Sequence, residues 1–201
     1  MSSLKTINLP KIIAVSKTFK IDKILPLIDY GHVHFGENKV QEAIDKWTDI
    51  KIKNANIKLH MIGKLQTNKV KFAVKLFDYI HSVDNEKLAK KIADEQEKIS
   101  KNIKTFIQVN IGCEEQKSGI SKDKVNSLVT YCKKINLDVV GLMCIPPSNV
   151  DSSVYFKEMY LINNALGFSD LSMGMSSDYL KASKNFATYV RIGSNIFGER
   201  T

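Results

Sequence analysis

Arginine is nearly missing from this chain: all but Arg191 and Arg200 of its 30 basic residues are lysines. Cysteine is as scarce. Cys113, Cys132 and Cys144 form no CxxC pair and leave an odd count, which excludes a disulfide framework and a four-cysteine zinc site. No apolar run approaches the roughly 18 residues of a membrane span. Residues 1 to 11 are mostly polar and lack the apolar core of a signal peptide. The sequence therefore reads as a cytoplasmic protein with no membrane partner. There is no linker, low-complexity tract or compositional shift either, and 201 residues at 43% hydrophobic can bury a sizeable core, so one domain over 1–201 is expected.

Acidic residues are the minority, giving a formal charge of +9 and a pI of about 9.3. A nucleic-acid partner would require the lysines to gather on one face. Instead they run from Lys5 to Lys184 and alternate with acids, as in Asp84-Asn85-Glu86-Lys87 and Asp94-Glu95-Gln96-Glu97-Lys98. That pattern describes solvated helix faces and implies no nucleic-acid partner.

What is present is a repeating unit. Ile12-Ile13-Ala14-Val15 is a short apolar run that stops at Ser16-Lys17-Thr18, reading as a strand buried on both faces with Lys17 at its C-terminal end. Ile21, Ile24, Leu25 and Ile28 then take helical spacing, interrupted by Pro26. The alternation continues through strands at 32–36, 59–63, 79–83, 106–109, 137–145, 171–175 and 189–193, with helices between them. Eight strand candidates alternating with seven helices predict an α/β fold, a parallel sheet closed into a single-domain (β/α)8 TIM barrel. The rival, an open doubly wound sheet, ordinarily carries a glycine-rich dinucleotide turn after its first strand, and none follows this one.

Barrel active sites are built from the loops after the strands, with phosphate groups frequently held after strands 7 and 8. Here strand 7 runs into Met175-Ser176-Ser177-Asp178 and strand 8 into Gly193-Ser194-Asn195, two loops rich in hydroxyls and backbone N–H donors. Ser176 or Ser177 could instead simply cap the next helix. By alternation Arg191 shares a face with Gly193, and a guanidinium facing the barrel interior needs a designated partner. A structural salt bridge is the plain alternative. Closure brings strand 8 against strand 1, so Lys17 neighbours both loops. An amine, a phosphate cradle and a partner for a ring nitrogen together suit pyridoxal 5′-phosphate, with Lys17 needing a lowered pKa to react as the free amine.

The same residues carry a family resemblance. Ala14-Val15-Ser16-Lys17-Thr18, Phe35-Gly36-Glu37-Asn38 with Val40-Gln41-Glu42, His60 to Lys69, Val109-Asn110-Ile111 with Lys117-Ser118-Gly119, Gly141-Leu142-Met143, Leu171 to Ser176, and Val190-Arg191-Ile192-Gly193 with Ile196-Phe197-Gly198 follow one another in family order. Together they make the chain similar to the YggS/PROSC family of pyridoxal-phosphate homeostasis proteins, related in fold to the N-terminal domain of alanine racemase. The resemblance implies a Schiff base on Lys17, phosphate contacts from Ser176, Gly193 and Ser194, Arg191 facing the pyridine nitrogen, and Asn38 and Met143 lining the ring pocket. It further implies a non-catalytic protein that stores pyridoxal 5′-phosphate, buffers the free aldehyde and hands it to apo-enzymes, while the patterning, which shows no contiguous exposed apolar helix face, predicts a monomer. A weak amino-acid racemase using Lys17 with His60, Tyr79 or His81 is the alternative. Only about ten residues precede the first strand and ten follow Arg191, so neither the usual leading helix nor the further C-terminal domain of the racemases is expected.

Overall fold

A computed structural model describes residues 9–199. Residues 1–8, which hold most of the polar stretch before the first strand, and residues 200–201 lie outside the described residues. Eight strands close into a parallel barrel in sequence order: β1 Lys11–Val15, β2 His34–Glu37, β3 Lys58–Met61, β4 Tyr79–Val83, β5 Lys104–Val109, β6 Val139–Cys144, β7 Asp170–Met175 and β8 Tyr189–Ile192. Closure is direct, since Ile13 stands opposite Arg191 and Ala14 opposite Ile192 in the β1/β8 register. The expected barrel is therefore observed.

Among the described residues eight α-helices alternate with the strands: α1 Leu25–Asp29, α2 Val40–Lys53, α3 Val70–Leu76, α4 Glu86–Glu97, α5 Val125–Lys134, α6 Ser152–Ala165, α7 Tyr179–Lys184 and α8 Ser194–Phe197. The sequence predicts seven. The eighth is one turn after β8, too short to show a helical period. Pro26 sits in the first turn of α1, where its missing N–H costs nothing, and the segment before it is a single 3₁₀ turn, so the expected interruption becomes a helix start.

Two cores follow from strand alternation. Outward residues such as Ala14, Phe35, Leu142, Val190 and Ile192 join the helix faces in one large apolar layer. Trp47 of α2 is fully buried there, its ring 4.8 Å from that of Phe35. Inside the barrel the apolar set is much smaller, comprising Ile13, Tyr79, Phe106, Met143 and Tyr189. Polar side chains fill the rest of the interior: His60, His81, Ser172 and Arg191 are all buried.

Candidate functional site

The C-terminal ends of the strands surround a cavity of about 930 Å³. Lys17 enters it from the end of β1. The backbone beneath that lysine is held by a buried clamp. Glu37, fully buried at the end of β2, accepts through one carboxylate oxygen from Ser16 Oγ (2.8 Å), Lys46 Nζ (2.9 Å) and Trp47 Nε1 (2.9 Å). Lys46 also donates to the Ser16 carbonyl at 2.9 Å. On the other side, Thr18 takes a left-handed conformation (φ 69°), and its N–H donates to Glu42. Burial tends to raise the Glu42 pKa, but this hydrogen bond and the nearby Lys46 outweigh it and leave the carboxyl below its usual range.

Ser176, Ser177, Gly193 and Ser194 line the neighbouring wall. The two loops meet: the Gly193 N–H donates to Ser176 Oγ at 3.2 Å, and Asn195 Nδ2 to the Ser176 carbonyl at 3.4 Å. Neither serine occupies the α7 cap position, which belongs to Asp178, so helix capping does not account for them. Gly174 makes the bend before this loop possible. It has φ +91°, and a Cβ there would lie 2.5 Å from the Ala182 methyl.

Arg191 forms the floor. It is 4% exposed, and its guanidinium donates to Ser172 Oγ (2.8 Å) and to the Cys144 carbonyl (2.9 Å). No salt bridge to a carboxylate holds it among the described residues. Burial lowers its pKa and pushes that of the Cys144 thiol up to about 12. The structural salt bridge considered from sequence is thus not formed, and the charge is met by neutral acceptors.

Asn38 lines the cavity from the loop after β2, and its side-chain carbonyl is buried with no hydrogen-bond partner among the described residues. Gly63 allows the loop after β3 to press against this residue, since a Cβ at that position would lie 2.5 Å from the Asn38 backbone carbonyl oxygen. Met143 is not brought to the cavity. It packs inside the barrel with Phe106 and Tyr189, and the wall at this strand is Ile145, two residues further along the same face. The resemblance gives a residue on the face that lines the cavity, one layer below its wall. Gln108, Asn110, Lys64 and Lys117 complete the far wall. Sequence reasoning assigned them no role, although they fall within or beside its quoted motifs at the ends of strands 3 and 5.

Below the floor lies an arrangement that sequence reasoning missed. His34 Nδ1 is 2.9 Å from His60 Nε2, His60 Nδ1 is 2.9 Å from His81 Nε2, and His81 Nδ1 is 2.9 Å from Ser172 Oγ. The rings are stacked in place, His60 on Tyr79 and His81 on Phe106, each at 4.2 Å between centroids. Desolvation, then neighbouring positive groups, holds the His60 and His81 pKa values well below the usual imidazole range, and the same causes lower His34 to about 4. All three rings are neutral at pH 7. The available signal was strand alternation, which places histidines at inward positions of three successive strands.

A lysine at the end of β1, phosphate-suited loops after β7 and β8, and a buried arginine on the floor define a barrel of the alanine racemase N-terminal-domain class, and that family's model matches residues 3–201. A protein named pyridoxal phosphate homeostasis protein from Aquifex aeolicus is 36% identical over 203 residues, covering 96% of this chain and 88% of its own. One of the same name from Schizosaccharomyces pombe is 35% identical over 204 residues, covering 94% and 84%. Among solved structures, PipY of Synechococcus elongatus with pyridoxal phosphate bound superposes with a TM-score of 0.88 at 31% identity, covering 98% of this chain and 95% of that one. The chain belongs to the YggS/PROSC family.

Proposed function

We propose that this protein binds pyridoxal 5′-phosphate in the cavity above Arg191 and serves intracellular homeostasis of that cofactor, by storing it, limiting the free aldehyde and releasing it to apo-enzymes. The observation that carries the reading is the convergence on one cavity of the Lys17 amine, the donors of Ser176, Gly193 and Ser194, and a buried arginine with no acidic partner among the described residues. The residues fit the cofactor. The cavity exceeds its size, the unsatisfied Asn38 carbonyl lies at the wall, and the adjoining loops supply hydroxyl and N–H donors for a phosphate dianion.

When bound, pyridoxal phosphate supplies an aldehyde for covalent attachment to an amine and an electron-withdrawing ring. Lys17 provides the amine, rooted on a clamped backbone. Arg191, a permanent cation that only donates, suits an unprotonated ring nitrogen and so weakens electron withdrawal by the ring. The site thus favours holding the cofactor over carbanion chemistry. Relatives of this chain carry homeostasis in their names, which agrees with that reading.

Absorbance spectroscopy tests the proposal. Protein mixed with pyridoxal phosphate and freed of excess is expected to be yellow, and Lys17→Ala to be colourless. Visible absorbance retained by Lys17→Ala, or never acquired by the wild type, would refute the assignment. Racemisation of amino acids well above that of free cofactor would replace the carrier role with an enzymatic one. Sedimentation of the loaded protein as a single monomeric species is expected as well.

A further inference from the structure

The contacts beneath the cavity floor have a direction that the geometry determines. A neutral imidazole has one N–H donor and one bare acceptor nitrogen, so a row of them linked ring to ring points one way or the other as a unit. Arg191 Nη1 already donates to Ser172 Oγ. If His81 donated to that oxygen too, the buried Ser172 O–H would be left without an acceptor, at a real energetic cost. The arrangement that satisfies every group has the Ser172 O–H donating to His81 Nδ1. His81 Nε2–H then donates to His60 Nδ1, and His60 Nε2–H to His34 Nδ1. His34 Nε2–H is left at the lower mouth of the barrel, where His34 is only half-buried and this nitrogen has no protein partner among the described residues.

We propose that Ser172, His81, His60 and His34 form one polarised hydrogen-bond chain, every ring carrying its proton on Nε2, that positions Arg191 and couples the cavity floor to protonation of His34 at the opposite end of the barrel. The coupling follows from the polarity. A protonated His34 bears hydrogen on Nδ1 and can no longer accept from His60. His60 and His81 must then shift their protons to Nδ1 and donate in the reverse direction, and Ser172 becomes an acceptor from both sides. Its oxygen is a stronger acceptor for Arg191 when its own proton is donated onward, because successive hydrogen bonds polarise one another. The groups that set the titration of His34 are Lys11, His32, Lys58 and Asp78, with Tyr79, Tyr189 and His60 packed against its ring. Ser172, His81 and His60 act through Arg191 and are positioning residues.

The link to a bound cofactor rests on the role given to Arg191 above, whereas the polarity does not, so the test uses ligand-free protein. Long-range ¹H–¹⁵N correlation spectra report the tautomer of each of the four histidines. His32 serves as an internal reference, because its Nε2 lies 2.9 Å from the His34 carbonyl, which only accepts, and so must carry the proton. At pH 7, His34, His60 and His81 are expected as pure Nε2–H tautomers. In Ser172→Ala, which removes the donor that sets the direction, all three rings are expected to become tautomer mixtures, including His34 at the far end. Nδ1–H or mixed tautomers in the wild type would overturn the proposal, as would a Ser172→Ala change confined to the adjacent His81. If that variant does not fold, acid titration of the wild type decides: one shared midpoint for the three rings supports the chain, and independent midpoints reject it. Loss of cofactor binding with these tautomers intact would count against the functional reading alone.

Discussion

Single side chains set the chemistry here through what surrounds them. Glu37 is the clearest case, a buried carboxylate holding a serine, a lysine and an indole through one oxygen. Its loss takes a shared acceptor from three buried donors, although Lys46 and Ser16 keep second acceptors, and breaking such a buried network costs about 3 kcal/mol or more. Glu37→Ala is therefore expected to lower the midpoint of urea unfolding and, in whatever fraction folds, to weaken the visible absorbance that reports Lys17. His60 and His81 make a second prediction. Their folded pKa values lie below the unfolded value of about 6.5, so below that pH the unfolded chain binds more protons than the folded one. Stability is complete above pH 6.5 and falls on acidification. The loss steepens as the pH falls further below 6.5, because each ring that the unfolded chain protonates stays neutral in the folded one. Urea titrations at pH 7, 6 and 5 measure it. A stability independent of pH over this range would show that the rings are not neutral and buried together.

At the level of elements, the strand–helix rhythm was readable because each strand is a short apolar run and most of the longer helices show a 3.6-residue stripe, as with Val40, Ala43 and Trp47 on α2. Boundaries drifted where the chain used 3₁₀ turns, before α1, α3 and α5, since a three-residue turn has no periodicity to read. Site residues at strand ends were legible for the same reason that the strands were. Met143, taken from the family resemblance, lies below the cavity wall, and strand alternation could not correct it because it gives the face of a strand and not its depth in the barrel. The histidine row was only partly legible, because alternation turns its members inward on three successive strands while their contact with one another and with Ser172 depends on register and on the closed barrel. The bend at Gly174 belongs to this scale. Gly174→Ala forces a side chain into left-handed backbone against Ala182, and an expected loss of about 1–3 kcal/mol is readable as a lower Tm. Because the strain falls just before Ser176, affinity for pyridoxal phosphate should drop as well.

For the molecule as a whole, closure brings the first and last strands together, so residues 174 positions apart in sequence, Lys17 and Arg191, line one cavity. A ligand held by both ends of the chain stabilises only the closed barrel. Addition of pyridoxal phosphate at a hundredfold excess over Kd is expected to stabilise the fold by about 2.7 kcal/mol, seen as a rise in Tm that Lys17→Ala diminishes. The clamp under Ser16 has a further consequence, and it concerns rates. With the backbone around Lys17 already held by Glu37, Lys46 and Glu42, capturing a ligand at its amine requires no reordering of that stretch. If the cofactor is held at the Lys17 amine as proposed, exchange is expected to be timed by making and breaking that bond, so a competing free amine should strip the visible absorbance without lowering Tm first.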